Sequence, residues 1–399
     1  MSARSLWLWL ASRGTVSPRI AAQLLSSFGT VERIYAADRH TLTQTEGLTK
    51  AQVDALCNKD TRAADRIAAD CDRLGVTILA QTDAGYPDRL RQIADPPVVL
   101  YVRGALPDLD RVACVSVVGK RKASAYGLVA ARKLSAALSR AGFVIVSGMA
   151  AGVDGAANRA AIEAGGTTVA VLGCGIDVCY PPEHRRLMED IALSGALVSE
   201  YPPGTPPERH HFPARNRIIS GMTPGTLVIE AGRGAGSLIT ADCALEQGRD
   251  VFAVPGLIDM PSFEGSNDLI ASGAARLVQD ARLIIREYAA FLPDTPLEER
   301  VHHAFERQVG APPPHDPARW ERMLREDAPA PAAPPTPEDD ALSDEERAIV
   351  AAVRAGASSV DEIVERSELS APRVSALLTM LELDGVLTRA HGRLTVPDR

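Results

Sequence analysis

Arg209 and Phe212 stand three apart in RHHFPARNR (209–217), pairing a guanidinium with an aromatic ring in a proline-bounded loop. Such a ring can stack a nucleobase while the arginine holds the neighbouring phosphate. Stacking of this type contributes roughly 1–3 kcal/mol per base and accepts any base. Arg215, Asn216 and Arg217 follow and are read as opening a helix that faces the same cleft. The competing role for Phe212 is to anchor its loop in the core. Arg121 follows Gly119 in VVGKRKAS (117–124), where a guanidinium can fork onto a phosphate beside a helix N-terminus. Its bland alternative is a surface arginine capping a turn, and Lys120 and Lys122 read as ordinary solvated lysines. Gly234-Ala235-Gly236-Ser237 precedes a helical run, so its backbone amides and the Ser237 hydroxyl make a candidate phosphate nest. Ser147 and Gly148 close another turn, where glycine lets backbone approach a ligand or simply turns the chain.

These residues need a common scaffold, and the sequence offers one. VVGKRKAS (117–124), VSGMAAGVDGAA (146–157), VLGCGID (171–177) and EAGRGAGSLITA (230–241) each place a glycine-rich turn behind a short apolar run. Predicted strands VACVSVVG, GFVIVSG, TTVAVLG, GALVSE, GTLVIEA and DVFAVPG alternate with predicted helices. That alternation implies right-handed crossovers and a mostly parallel sheet. All four turns then fall at the carboxyl ends of strands, where such sheets hold ligands. Asp154 reads as a helix N-cap, and Thr240 as a packed residue.

Other chemistries fit less well. No Lys follows the last glycine of 234–237, so a Walker loop is absent, and VVGKRKASAYG lacks the GxGxxG spacing. Neither ATP nor NAD is expected, and no cofactor. His210 and His211 are adjacent, so their side chains are expected to diverge rather than share a metal. Cys57, Cys71, Cys114, Cys174, Cys179 and Cys243 contain no CxxC pair and read as reduced thiols; Cys174, Cys179 and His184 are a weak metal alternative. Glu230 ends GTLVIE and suggests a nucleoside-monophosphate phosphoribohydrolase. In that group a Gly-Thr-x-x-Glu motif supplies the acid, but this chain has one residue too many and no preceding double glycine.

The stretch VVGKRKASAYG … VSGMAAGVDGAAN … VAVLGCGIDVCYPPEH … LVSEYPPGTPPERHHFPARNRIISG … GAGSLITADCALEQGRDVFAVPG … GSNDLIASGA resembles the DNA-processing protein A family (DprA, also called Smf) from about residue 80 to 290. Two departures are Met149, where Leu is expected, and Gly152, where the family often carries Arg. The resemblance implies an α/β fold with an extended Rossmann-like, mostly parallel sheet, a small N-terminal helical domain and a C-terminal winged helix. It implies that the Gly119-x-Arg121 turn, Arg209 and Phe212 belong to a single-stranded DNA pocket, with the 234–237 loop beside it. It further implies protection of incoming strands in natural transformation, loading of the RecA recombinase on strands coated by single-strand-binding protein, and a homodimer. The chain is expected to be a binding protein rather than an enzyme.

The whole chain accommodates this reading. Its 399 residues suffice for several domains, and 46% hydrophobic residues supply ordinary cores. The formal net charge of −8 excludes a uniformly basic coat but leaves room for a local basic cleft, whose field acts over about 8–10 Å. Residues 1–75 read as short helices of helix-hairpin-helix or sterile-alpha-motif type, opening with an amphipathic helix in MSARSLWLWLAS. That module could touch DNA phosphate or merely pack. Residues 76–292 form the Rossmann-like part; VTILA and VVLYVRG are assigned to its sheet by resemblance. Residues 293–340 are a Pro/Ala-rich linker that cannot bury enough apolar area to fold. Residues 341–399 read as three helices and a two-strand wing, with Ser343 and Glu346 as a capping box. Acidic residues outnumber basic ones there, which argues against strong duplex binding and against the remaining alternative, a winged-helix transcription regulator. No segment reads as a membrane span, and a cytoplasmic location is expected.

Overall fold

The computed structural model of the chain describes residues 2–292 and, with gaps, 343–395. The former lie in one compact unit and the latter in a second. The linker read at 293–340 lies outside the described residues. No helix among them is long and apolar enough to cross a membrane.

The chain opens with six helices: α1 (Ala3–Ala11), α2 (Pro18–Phe28), α3 (Val31–Ala36), α4 (Arg39–Gln44), α5 (Lys50–Cys57) and α6 (Arg62–Leu74). Ser2, Ser17, Thr30, Asp38 and Thr49 cap the first five through their side chains, and Gly75 ends α6 in the left-handed region. α1 departs from the amphipathic expectation: Leu6, Trp7, Leu8, Trp9 and Leu10 are all buried. Trp9 donates Nε1–H to the Asn58 carbonyl (2.9 Å) and meets Tyr35 edge-on. Ala3 and Arg4 stay exposed, but a helical stretch buried on every side, as 6–10 is, belongs to the middle of a cluster and not its rim.

The sheet follows. Its strands are β1 (Thr77–Ala80), β2 (Val99–Gly104), β3 (Cys114–Val118), β4 (Val144–Ser147), β5 (Thr168–Val171), β6 (Ala196–Ser199), β7 (Gly225–Val228), β8 (Asp250–Ala253) and β9 (Arg276–Leu277). They lie in the order β1-β2-β6-β5-β4-β3-β7-β8-β9. All pairs from β6 to β9 are parallel, while β1–β2 and β2–β6 are antiparallel. The six strands read from strand–helix alternation are β3 to β8. β1 and β2, the strand-like VTILA and VVLYVRG assigned to the sheet by resemblance, run antiparallel, a sense not anticipated, and neither was β9.

Both faces of the sheet are covered, so β3 to β7 are buried at every residue. Val115, Val117, Ile145 and Leu227 face a cluster with α8 (Ala125–Arg140) and α9 (Val153–Glu163). Cys114, Val118, Val144, Val146 and Val228 face the opposite cluster, with α11 (His211–Gly221) and α12 (Gly236–Glu246). The same alternation splits β2: Leu100 and Val102 join the second cluster, while Val99 and Tyr101 join the front helices. That front cluster also takes Leu172 and, from α10 (Arg185–Ser194), Leu187 and Ile191. An apolar core therefore crosses the turn at Gly75.

In the second unit, helices Asp344–Arg354 and Val360–Ser367 and the hairpin Thr388–Ala390/Arg393–Thr395 surround Ile349, Val353, Ile363, Val374 and Leu378. The order is that of a winged helix; its third helix falls largely outside the described residues. Ser343 and Glu346 form the expected reciprocal cap. Arg373 is paired with Glu345 through two nitrogens.

Candidate functional site

Strand order reverses between β3 and β7, and the crevice this opens at the carboxyl ends is where ligands bind in such sheets. A cavity of about 770 Å³ lies there. Segments following five strands line it: Gly119 to Lys122 after β3, Ala150 and Asp154 after β4, Tyr180 after β5, Pro207 to Asn216 after β6, and Ala235 to Thr240 after β7. Helix α12 starts at this wall without a side-chain cap, and Ser237 Oγ has no hydrogen-bond partner among the described residues. The helix terminus and hydroxyl together suit an anion.

Phe212 is half-buried at the centre of the lining. The Arg121 guanidinium carbon lies 5.0 Å from its ring centroid and that of Arg215 lies 6.0 Å away. Tyr180 leans on the same ring at 5.2 Å, tilted by 42°. Arg121 and Arg209 are exposed, so their charge is open to a ligand. Arg215 is not: it is 3% exposed and donates Nη1–H to the carbonyls of Gly148 (3.0 Å) and Val171. Burial lowers its pKa, opposed by Asp154. Its task is to hold the ends of β4 and β5 together under Phe212.

Asp154 sits inside the first turn of α9 and is not its cap; that position is Gly152. Its carboxylate turns back to accept N–H bonds from Gly148, Gly119 and Ala150, joining two glycine turns. Burial pushes its pKa from 3.8 up to about 6, against the pull of Arg215 and these amides. The folded chain thus holds this proton more tightly than the unfolded chain. The resulting stability is complete below 3.8 and declines as pH rises through about 6. Urea unfolding of wild type and Asp154→Asn between about pH 4 and about 7 checks this. Wild type should lose up to about 2–3 kcal/mol relative to the variant across that interval, and parallel pH profiles would sink the assignment.

The model of the family described as DNA recombination-mediator protein A matches residues 77–289, just over half of the chain. The chain belongs to this family. Its DprA winged helix domain model matches residues 330–393, and a SAM-like helix-hairpin-helix tandem matches 15–59. Protein Smf of Synechocystis sp. is 34% identical over 402 residues, covering 98% of each chain. The DNA processing protein DprA of Streptococcus pneumoniae is 45% identical over 206 residues, 52% of this chain and 72% of that one. An X-ray structure of DNA processing protein A from the same organism superposes with a TM-score of 0.63 at 33% identity, covering 72% of this chain and 98% of that chain.

In this member of the DNA recombination-mediator protein A family, the residues singled out in the sequence do not all meet. Gly119, Arg121, Arg209, Phe212, Arg215, Asn216, Gly236 and Ser237 line the cavity. Asn216 joins two of its walls by donating Nδ2–H to the Gly236 carbonyl (3.1 Å). Gly148 lies beneath, with room for no Cβ between Asp154 and Arg215. Gly234 takes φ +71° just before the Ala235–Gly236 lining. Two expectations need correction. Ser147 is fully buried and donates its hydroxyl to the Val117 carbonyl (2.6 Å), so it ties β4 to β3. Arg217 points away: at about 100° per residue it lies some 200° round the helix from Arg215. There it forms a two-pronged pair with Glu200 (2.8 and 2.7 Å) and a bridge to Asp95 (3.0 Å).

Further differences concern residues read as inert or departing from the family pattern. Lys120 and Lys122 line the cavity, and so does Tyr180, which sequence reasoning missed. Thr240 is both buried and part of the lining. At Gly152, φ is +79° and a Cβ would lie 2.3–2.4 Å from the Arg121 and Lys120 carbonyl oxygens, so no larger side chain fits there. Met149 adopts φ +52° at the end of β4, a conformation rare outside glycine, and its carbonyl meets His184 Nδ1 at 3.0 Å. Glu230 is fully buried, accepts from the Ser124 amide and hydroxyl (2.9 and 2.7 Å), and is not among the residues lining the cavity. Its place is to fix the start of α8. All six cysteines are free thiols, and Cys174, Cys179 and His184 form no donor cluster among the described residues.

Proposed function

We propose that the cavity binds single-stranded DNA without sequence preference and without chemistry, and that the chain protects incoming strands and helps load RecA recombinase on strands coated by single-strand-binding protein, in natural transformation or recombination, as a homodimer. One observation carries the binding reading: Phe212, a half-buried ring, lies 5.0 Å from the exposed Arg121 guanidinium at a wall of glycine turns and a helix N-terminus. A stacked base needs its face free, which an unpaired strand offers and a duplex does not. Arg121, Arg209, Lys120 and Lys122 supply the phosphate contacts. Supporting binding over hydrolysis, the one lining carboxylate among the described residues, Asp154, is occupied by backbone amides.

Fluorescence anisotropy with labelled single-stranded and duplex oligonucleotides of mixed sequence, across a salt series, tests this. Wild type should prefer the single strand, with log affinity falling by about 0.7 per phosphate contact for each tenfold rise in salt. Phe212→Ala should lose about 1–3 kcal/mol of binding with a nearly unchanged salt slope, because it removes a stack and no charge. Equal affinity for both DNA forms would defeat the proposal and direct attention to nucleotide hydrolysis. RecA filament formation on strands coated by single-strand-binding protein is then the assay for loading.

A further inference from the structure

Just ahead of Phe212, the segment Glu208–His211 folds into a tight turn in which His211 N–H donates to the Glu208 carbonyl (3.0 Å). The turn overrides the expected divergence of neighbouring side chains. The rings of His210 and His211 meet edge to face at 4.4 Å, and His210 Nδ1 lies 3.4 Å from Glu208 Oε2. Side-chain donor atoms of Glu208, His210 and His211 all lie within 4.8 Å of one another. The second observation is independent of that clustering. His211 is 8% exposed and stacks on Tyr201 at 4.0 Å, yet its Nδ1 has no hydrogen-bond partner among the described residues. A buried polar atom left unpaired carries a desolvation penalty that a ligand would relieve.

We propose that Glu208, His210 and His211 bind one divalent transition-metal ion of the Zn²⁺ class. Two imidazoles and a carboxylate are the donor set such ions take, with water completing a tetrahedron. Donors about 2.0–2.1 Å from a Zn²⁺ ion stand roughly 3.3 Å apart, close to the His210–Glu208 spacing already present. Both of those side chains are exposed and free to turn toward His211. The Glu208 charge offsets the unfavourable field of the nearby helix N-terminus. Bound metal would pin the stretch that presents Arg209 and Phe212, and the site stands whatever the cavity holds.

Untagged full-length chain, stripped with a chelator, is titrated with Co²⁺ alone and then Zn²⁺, following the visible absorption of tetrahedral Co²⁺. One Co²⁺ per chain should bind with that spectrum and be displaced by Zn²⁺. His210→Ala and Glu208→Gln, both at exposed positions, should weaken it by at least the roughly 10–100-fold that loss of a supporting group costs at metal sites. Circular dichroism confirms that the variants fold. Absence of stoichiometric binding overturns the proposal. So does binding that both variants retain, which would place the metal on the cysteines.

Discussion

Arg121→Glu should abolish most single-strand affinity while leaving the unfolding transition close to where it was. Arg121 is exposed, makes no ion pair among the described residues, and touches the Phe212 ring from the cavity side. Its charge meets that ring in an exposed cation–π contact of about 0.5–1 kcal/mol, so any drop in stability stays small. Two unit charges about 4 Å apart near a protein surface interact by about 4 kcal/mol at an effective dielectric constant of about 20. If about half survives screening, removal alone weakens binding about 30-fold, and reversal, which adds an equal repulsion, takes the loss to about 1,000-fold. Arg217→Ala is the matched opposite. It strands Glu200, whose side chain is 10% exposed, so unfolding free energy should fall by about 3 kcal/mol or more while the folded fraction binds as wild type. Anisotropy and urea unfolding on both variants separate the two arginines. Equal effects on binding would sink the division drawn between residues 121 and 217.

Gly152→Ala is expected to produce the largest loss of stability. The backbone there has φ +79° and ψ −126°, a region closed to residues with a side chain, at a strain of about 1–3 kcal/mol. A Cβ would also overlap two backbone oxygens at 2.3 and 2.4 Å, and overpacking of that kind costs about 1–3 kcal/mol more. Those oxygens belong to Arg121 and Lys120, so relief of the overlap displaces the cation loop itself. Single-strand binding should therefore fall together with the melting temperature. Gly165→Ala isolates the two causes: φ is +77° there, but nothing lies within 4 Å of the added carbon. Thermal unfolding should show a modest drop for residue 165 and a drop roughly twice as large or more for residue 152. Equal drops would mean that overlap contributes nothing.

What could be read from the sequence was what local pattern dictates. Alternating apolar runs and glycine turns announced β3 to β8 and their helices, because a strand buried on both faces is apolar throughout and a short crossover needs a tight turn. The Ser343–Glu346 cap was legible for the same reason: both partners sit within one helical turn. The antiparallel edge was not, since β2 pairs with β6 across about a hundred residues and its alternation fits many sheets. Among the site residues, Arg215 and Arg217 looked equivalent in the string. Only the helix rotation separates them, and only Glu200 and Asp95, distant in sequence, reveal what Arg217 does. Tyr180 was overlooked because its loop carried no glycine–arginine signature. Lys120 and Lys122 were discounted because exposed lysines are common, while the reversal of strand order at β3 is what makes these two border a cavity. The histidine pair was set aside on a general rule about neighbours, which a single tight turn was enough to break.

The continuity of the core across the turn at Gly75 decides how this chain can be rearranged. Val99, Tyr101, Leu172 and Leu187 finish their packing against α1 to α6. Detaching those helices would bare one face of the sheet edge, so they and the sheet must be inherited, expressed and redesigned together. The winged-helix unit carries its own interior of Ile349, Val353, Ile363, Val374 and Leu378.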